Sequence, residues 1–218
     1  MRLLSVAMLA ALLIGGGVAG FETAVGATVT PTAKVVVRPV TSTGHVRAGF
    51  TMVSEPTGLV DCNAQDPSPG AVSRNIEFCS PSAEYAIACW KAAAPHRVLC
   101  MRDPRSTRVV RIPRTGTFAP TGLAPLSQRA PLAITLGGGA YCSIRDGGAW
   151  PTLRSHPSWV GTYSCNNGDA VWAPPTATHN GVNESSASWT VRTARSSGVG
   201  PVVTRHVVRA YFVGTYPG

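Results

Sequence analysis

The chain has 218 residues, of which 44% are hydrophobic and 13% are charged, and it contains 23 glycines and 18 prolines. This many turn-forming residues excludes a protein built from long helices, and the hydrophobic fraction excludes a chain that stays disordered. The formal net charge is +9. A chain of this length can bury a core of its own, so folding requires neither a metal nor a partner.

Residues 1–27 have the pattern of a secretory signal peptide. Arg2 precedes an apolar run over residues 3–14, and small residues follow that run. This order is typical of an export signal, and we expect cleavage after Gly20 or after Ala27. An uncleaved membrane anchor is the alternative. The glycines at 15–17 and the absence of a basic flank argue against it, so we expect no transmembrane span in the mature chain.

Six cysteines follow the signal: Cys62, Cys79, Cys89, Cys100, Cys142 and Cys165. An even number of cysteines in an exported chain predicts disulfides, although six allow about 15 pairings. We predict that neighbours pair (62 with 79, 89 with 100, 142 with 165), because each pair closes a loop that contains turn residues. The spacing does not match the close cysteine pairs of structural zinc sites. We therefore expect neither a metal nor another cofactor.

The first half of the mature chain predicts a flexible lead-in followed by short strands. Residues 28–48 are rich in Thr, Val, Ala and Gly and have little periodicity, so they are assigned to the lead-in. A β domain is predicted over residues 49–214. Its first hairpin joins a strand at 50–53 to a return strand at 59–62, and a loop at 64–75 follows.

Residues 82–94 are the one stretch where a helix competes with a strand. Several alanines favour a helix, whereas the alternation around Cys89 favours a strand. We prefer the strand, because a partner over 98–102 places Cys89 and Cys100 nearly opposite each other. A turn at 103–106 then leads into a third strand over 107–112, which completes a meander.

The second half repeats this style after a proline-rich connector over residues 115–131. Glycine and asparagine turns predict two hairpins, and two further strands follow them. The predicted strands are 132–136, 140–144, 160–165, 170–173, 188–193 and 202–213. The fold class is therefore all-β, a compact disulfide-stapled sheet or sandwich-like domain. One domain and two similar lobes (49–114 and 132–214) both remain open.

The cysteines and tryptophans form a framework together with their neighbours at residues 79–85, 89–90, 99–104, 141–142, 147–150, 189–191 and 210–212. This framework resembles an uncharacterised family of small secreted mycobacterial and actinobacterial proteins. The resemblance covers roughly residues 50–213. It implies an exported, disulfide-bonded protein and transfers no catalytic residue.

An arginine-rich stretch is the first candidate binding feature, and its proposed ligand-binding residues are Arg102, Arg105, Arg108 and Arg111. Guanidinium groups suit bidentate contacts with carboxylates and phosphates. The expected partners are an anionic envelope lipid or a polysaccharide. Nucleic acid is disfavoured, because no aromatic residue interleaves the arginines. The alternative is a solvated sheet edge, where charge prevents pairing with other chains.

Trp150 and Trp159 are the second candidate binding feature. They lie in a Gly-, Pro- and Ser-rich stretch, where an exposed indole can pack on a sugar ring. The alternative is that they pack into the core, as we expect for Trp172 and Trp189 on their strands.

Enzyme signatures are weak in this sequence. There is no G-x-S-x-G, H-E-x-x-H or phosphate-binding glycine loop, and the five histidines are dispersed. A catalytic triad assembled only in space is still compatible with the sequence. The preferred hypothesis is a secreted, non-catalytic binding protein of the cell envelope or extracellular space. The alternative is a secreted hydrolase that acts on cell-wall polymers.

Overall fold

The computed structural model describes residues 30–54, 58–62, 66–80, 86–145 and 149–217. The predicted signal peptide lies outside these residues. Within them the chain forms twelve strands and two short 3₁₀ turns, at Leu126–Gln128 and Thr178–Gly181. The strands are β1 Ala33–Thr41, β2 Thr51–Ser54, β3 Val60–Asp61, β4 Cys89–Lys91, β5 Arg97–Cys100, β6 Arg108–Thr115, β7 Ala133–Leu136, β8 Tyr141–Ile144, β9 Val160–Cys165, β10 Asp169–Ala173, β11 Thr190–Arg195 and β12 Val203–Tyr216.

Strands β7 to β12 form a closed six-stranded barrel. Each strand pairs antiparallel with the next in sequence, and β12 also pairs with β7, where Ala210 faces Ile134. The predicted hairpins β7–β8 and β9–β10 are confirmed, because both strand pairs are antiparallel and are joined by the predicted glycine and asparagine turns. The all-β fold class is confirmed as well. Closure into a barrel removes the free edges that an open sheet of these strands would have.

Strand β1 corrects the prediction that residues 28–48 form a flexible lead-in. Ala33–Thr41 pairs parallel with the second half of β12, from Ala33 opposite Arg209 to Thr41 opposite Tyr216. The side chain of Thr32 fixes the start of β1, because it accepts a hydrogen bond from the Trp189 amide and donates one to the Val207 carbonyl. Val35, Val36 and Val37 are half-buried β-branched residues, which suit a strand.

The second sheet contains the predicted meander β4–β5–β6, with Cys89 directly opposite Cys100. The predicted hairpin between residues 50–53 and 59–62 is wrong. Strand β2 pairs parallel with the first half of β6, and β3 pairs parallel with its end. Two parallel strands that share one partner lie end to end along it, so β3 does not return along β2.

All three predicted disulfides are present: Cys62–Cys79, Cys89–Cys100 and Cys142–Cys165. The second and third join residues that are directly opposite on neighbouring strands, β4–β5 and β8–β9. The first closes the loop that follows β3. Each disulfide therefore reinforces a pairing that the backbone already makes.

One buried cluster extends through both sheets. It contains Trp90, Leu99 and Met101 from the meander region together with Ile134 and Val191 from the barrel. Both halves of the chain thus contribute to this buried cluster. No helix within the described ranges is long and apolar enough to cross a membrane.

Candidate functional site

A cavity of about 380 Å³ opens where the meander meets the barrel. The turn after β5 supplies one wall, and strands β8 and β9 with the residues that follow them supply the other. Three arginines line it, Arg102, Arg105 and Arg145, together with the polar side chains of Ser143, Ser164 and Asn166. We call this cavity the arginine cleft.

A compact turn positions the first wall of the arginine cleft. The Ser106 amide donates a 2.9 Å hydrogen bond to the Asp103 carbonyl. The Asp103 carboxylate accepts a further hydrogen bond from the backbone amide of Arg105, also 2.9 Å. An aspartate at the start of a turn commonly makes this local bond. The turn thereby directs Arg105 towards strand β8.

Asp103, Arg105 and Tyr141 form an interlocked group in the arginine cleft. The Tyr141 hydroxyl donates a 2.6 Å hydrogen bond to Asp103, and the Arg105 guanidinium bonds the same carboxylate at 3.3 Å. The guanidinium carbon also lies 3.0 Å from the centre of the Tyr141 ring. Asp103, the one carboxylate among the described residues that line the cavity, is therefore already engaged by a cation and a hydroxyl.

This arrangement changes the titration of both groups. Partial burial alone would raise the pKa of Asp103, but hydrogen bonds from Tyr141 and Arg105, together with the charge of Arg105, outweigh burial and lower the pKa. Burial and the hydrogen bond to Asp103 raise the pKa of the Tyr141 hydroxyl well above its ordinary value. At neutral pH the group is thus an ionised carboxylate, a protonated guanidinium and a neutral phenol.

Arg145 forms the opposite wall and was not among the predicted site residues. Its backbone amide bonds the Thr162 carbonyl at 2.9 Å, and its guanidinium carbon lies 4.6 Å from the centre of the Trp150 ring. The described residues along the walls of the cleft therefore include three guanidinium groups and one carboxylate. This surplus of positive charge can attract carboxylate or phosphate groups, while the serines and Asn166 offer hydrogen bonds to hydroxyls.

The four predicted arginines do not lie in one patch. Arg102 and Arg105 line the cleft, whereas Arg108 and Arg111 lie on β6, beside the edge strand β2. The Arg111 guanidinium bonds the Ser54 hydroxyl at 2.9 Å across that pair of strands. The structure thus places half of the predicted set in the cleft and half at a sheet edge.

Trp150 and Trp159 are half-buried, and both pack against a small buried cluster that includes Leu153 and Trp172. An arginine lies over each ring, Arg145 over Trp150 and Arg192 over Trp159, the latter at 5.0 Å from the ring centre. In addition, the Trp159 ring contacts the His156 ring, with centres 4.1 Å apart. The two indoles therefore combine packing with a partly exposed edge and do not form a bare aromatic platform.

The histidines of the described residues do not complete a hydrolytic triad. His206 lies 3.2 Å from the Ser188 hydroxyl, and the His156 ring lies 3.1 Å from the hydroxyl of its neighbour Ser155. Neither imidazole has a carboxylate within hydrogen-bond distance in this part of the chain. A triad requires the base to bond both groups.

The one candidate metal cluster among the described residues groups Glu77 with Cys62 and Cys79. The two sulfurs are joined in a disulfide and so are not thiolate ligands. Only the Glu77 carboxylate is left to bind a cation there, and a single ligand does not hold one.

No family model, curated protein or solved structure matches this chain. The resemblance to secreted mycobacterial proteins accordingly stays a prediction. The function has to be argued from the geometry of the site.

Proposed function

We propose that this protein is a secreted, non-catalytic binding protein of the cell envelope or extracellular space, and that it binds an acidic polysaccharide in the arginine cleft. The convergence of Arg102, Arg105 and Arg145 around one cavity carries this proposal. Arg105 and Arg145, which lie on the two walls, are about forty residues apart in the sequence, so they come together only when the chain folds.

The charge balance of the cleft favours an anionic ligand. Asp103 is bonded by Arg105 and Tyr141, so it repels an incoming anion less than an unpaired carboxylate would. Serine hydroxyls and an asparagine amide beside the arginines match the alternation of acidic groups and hydroxyls along an acidic sugar chain. The three disulfides favour a location in an oxidising environment, such as the outside of the cell. Acidic polysaccharides occur in that environment.

The test is titration of the full mature protein with polygalacturonate, with neutral dextran as the uncharged control. We expect binding to polygalacturonate that weakens as salt rises, because contacts between exposed charges are screened. Arg145→Gln should weaken the binding of polygalacturonate by about tenfold, because the substitution removes roughly one charge-assisted contact. Arg108→Gln removes the same charge from a residue outside the cleft and should have little effect.

Three outcomes would contradict the proposal. Equal binding of dextran would show that the acidic groups are not recognised. Equal effects of the two substitutions would show that net charge matters and the cleft does not. Binding to anionic phospholipid vesicles without binding to polygalacturonate would assign the surface to lipid.

A further inference from the structure

The loop between β10 and β11 contains an unusual turn. Three consecutive residues there have left-handed backbone angles: His179 with φ 53°, Asn180 with φ 51° and Gly181 with φ 80°. Side chains make this conformation unfavourable, and such strain concentrates at functional positions. A Cβ at position 181 would lie 2.5 Å from that of Ala173, so only glycine fits.

Hydrogen bonds hold this left-handed turn in place. The Val182 amide bonds the His179 carbonyl at 3.1 Å, and the Thr162 hydroxyl bonds the Asn180 carbonyl at 2.8 Å. The His179 ring is fixed as well, because Nδ1 donates to the Arg129 carbonyl at 2.6 Å. In the neutral ring Nε2 is then the nitrogen that accepts a hydrogen bond.

Two cavities of different character share His179 and Glu184 as lining residues. The first has a volume of about 290 Å³ and is mainly apolar, with walls from Val36, Leu126 and Phe212. The second is a groove of about 760 Å³. Its polar lining consists mostly of hydroxyl and amide groups: Thr178, Asn183, Ser185, Thr190 and Thr204. One ligand that fills both must have an apolar part and a polar part.

The apolar cavity has two cations and one carboxylate among its described lining residues. Lys34 and Arg129 line it together with Glu184. Burial raises the pKa of Glu184, while the neighbouring charges of His179 and Lys34 lower it. The groove has one cation, Arg192, and one carboxylate, Glu184, among its described lining residues, so it lacks the excess of positive charge found in the arginine cleft. The hydroxyl-rich groove therefore suits an uncharged head group.

We propose that the paired cavities bind a neutral amphiphile, with its alkyl chain in the apolar cavity and a hydroxyl-rich head group, such as a sugar, in the groove. His179 lies at the junction, where Nε2 can form a hydrogen bond with a head-group hydroxyl, as the acceptor in the neutral ring or as the donor in the protonated ring. The left-handed turn holds the imidazole at that junction. This inference is independent of the arginine cleft, and either proposal can fail without the other.

The test uses the full mature protein and n-octyl β-D-glucoside below its micelle concentration, followed by calorimetry. We expect saturable binding. Leu126→Asp, at a side chain that is 71% exposed, should weaken it by about tenfold because the charge opposes burial of the alkyl chain. Leu59→Asp is the matched control, since Leu59 is 57% exposed and lies outside both cavities.

His179→Gly tests the junction separately. Glycine adopts the left-handed angle freely, so the fold should be retained while the imidazole is lost. Weaker binding with unchanged thermal stability or a higher one supports the proposal. Absence of saturable binding to octyl glucoside, equal effects of the two leucine substitutions, unchanged affinity in His179→Gly, or equal affinity for sodium octyl sulfate would overturn it.

Discussion

The Tyr141 hydroxyl donates a 2.6 Å hydrogen bond to the Asp103 carboxylate, and this bond ties barrel strand β8 to the turn that follows β5 in the other sheet. Phenylalanine at position 141 would keep the ring and its contact with Arg105 but leave the carboxylate without this donor. We expect Tyr141→Phe to lower the free energy of unfolding by about 2 kcal/mol at pH 7, as for hydrogen bonds to charged groups.

The loss in Tyr141→Phe should shrink in acid. The hydrogen bond helps to lower the folded-state pKa of Asp103, so its stabilisation is present above the ordinary pKa of aspartate and is lost as the pH falls through the folded value. Urea denaturation at several pH values measures this. Tyr211→Phe is the control, because the Tyr211 hydroxyl makes only a 3.5 Å contact with Thr135. A pH-independent loss would show that the hydroxyl does not act through Asp103.

Glu77 gives a second pH-dependent prediction, of opposite sign. It is fully buried beside the Cys62–Cys79 disulfide, and neither carboxylate oxygen has a hydrogen-bond partner among the described residues. Burial raises the pKa of Glu77 to about 7, although the charge of Arg114 lowers it. A raised folded-state pKa means that the protein loses stability as the pH rises from the ordinary value of glutamate towards 7.

Glu77→Gln removes that titration. The difference in unfolding free energy, variant minus wild type, should rise by about 3 kcal/mol between pH 4.5 and pH 8. This amount corresponds to the shift in the pKa of Glu77. Comparing the change with pH cancels any constant cost of burying an amide. Denaturation curves with the disulfides intact provide the measurement, and parallel curves for the two proteins would refute a titrating Glu77.

Gly161 is required by the Trp150 ring. A Cβ at this position would lie 2.4 Å from two ring atoms, so an alanine forces the indole to move. We expect Gly161→Ala to lower the unfolding free energy by about 1–3 kcal/mol, as overpacking does elsewhere. In a Trp150→Leu background the same substitution should cost much less. Gly122→Ala, at a site with open space around it, is the control for a general effect of alanine.

The disulfides give a chemical prediction. No cysteine is free in the described structure. If the purified protein is denatured without reductant and then alkylated, none of its six cysteines should be labelled. Replacing both Cys142 and Cys165 by alanine should cost about 3 kcal/mol of unfolding free energy in the chain-entropy description. Mass spectrometry and denaturation check the two parts. Six labelled thiols would remove the basis for the assigned architecture.

Local features of this fold were predictable from sequence, and distant pairings were not. The hairpins around the glycines at 137–139 and around Gly168 have their turn residues beside their strands. Each disulfide joins cysteines that are neighbours in the sequence. By contrast, β1 pairs with β12, and β7 closes the barrel on the same strand. Partners so far apart in the chain leave no periodic signal that links them.

The candidate site shows the same division. Arg102 and Arg105 were predictable because they belong to a visible arginine-rich stretch. Arg145 was missed, since it is a single arginine after β8 that reaches the cleft only when the two sheets meet. His179 and Glu184 give no sequence motif either. The left-handed turn that places His179 depends on contacts with distant residues, Thr162 on β9 and Arg129 before β7.

Strand β12 follows all the other described strands in the chain, yet it supplies the last seam of the barrel and is the one strand of the described residues that pairs with β1. During synthesis, the meander with its Cys89–Cys100 loop can form as soon as it emerges, because its contacts are short-range. Until β12 is made, β7 and β11 each have an unpaired edge. Folding intermediates with such edges are prone to aggregate. The newly made chain therefore remains prone to aggregation until residues 203–216 have been synthesised and have paired with β7 and β11.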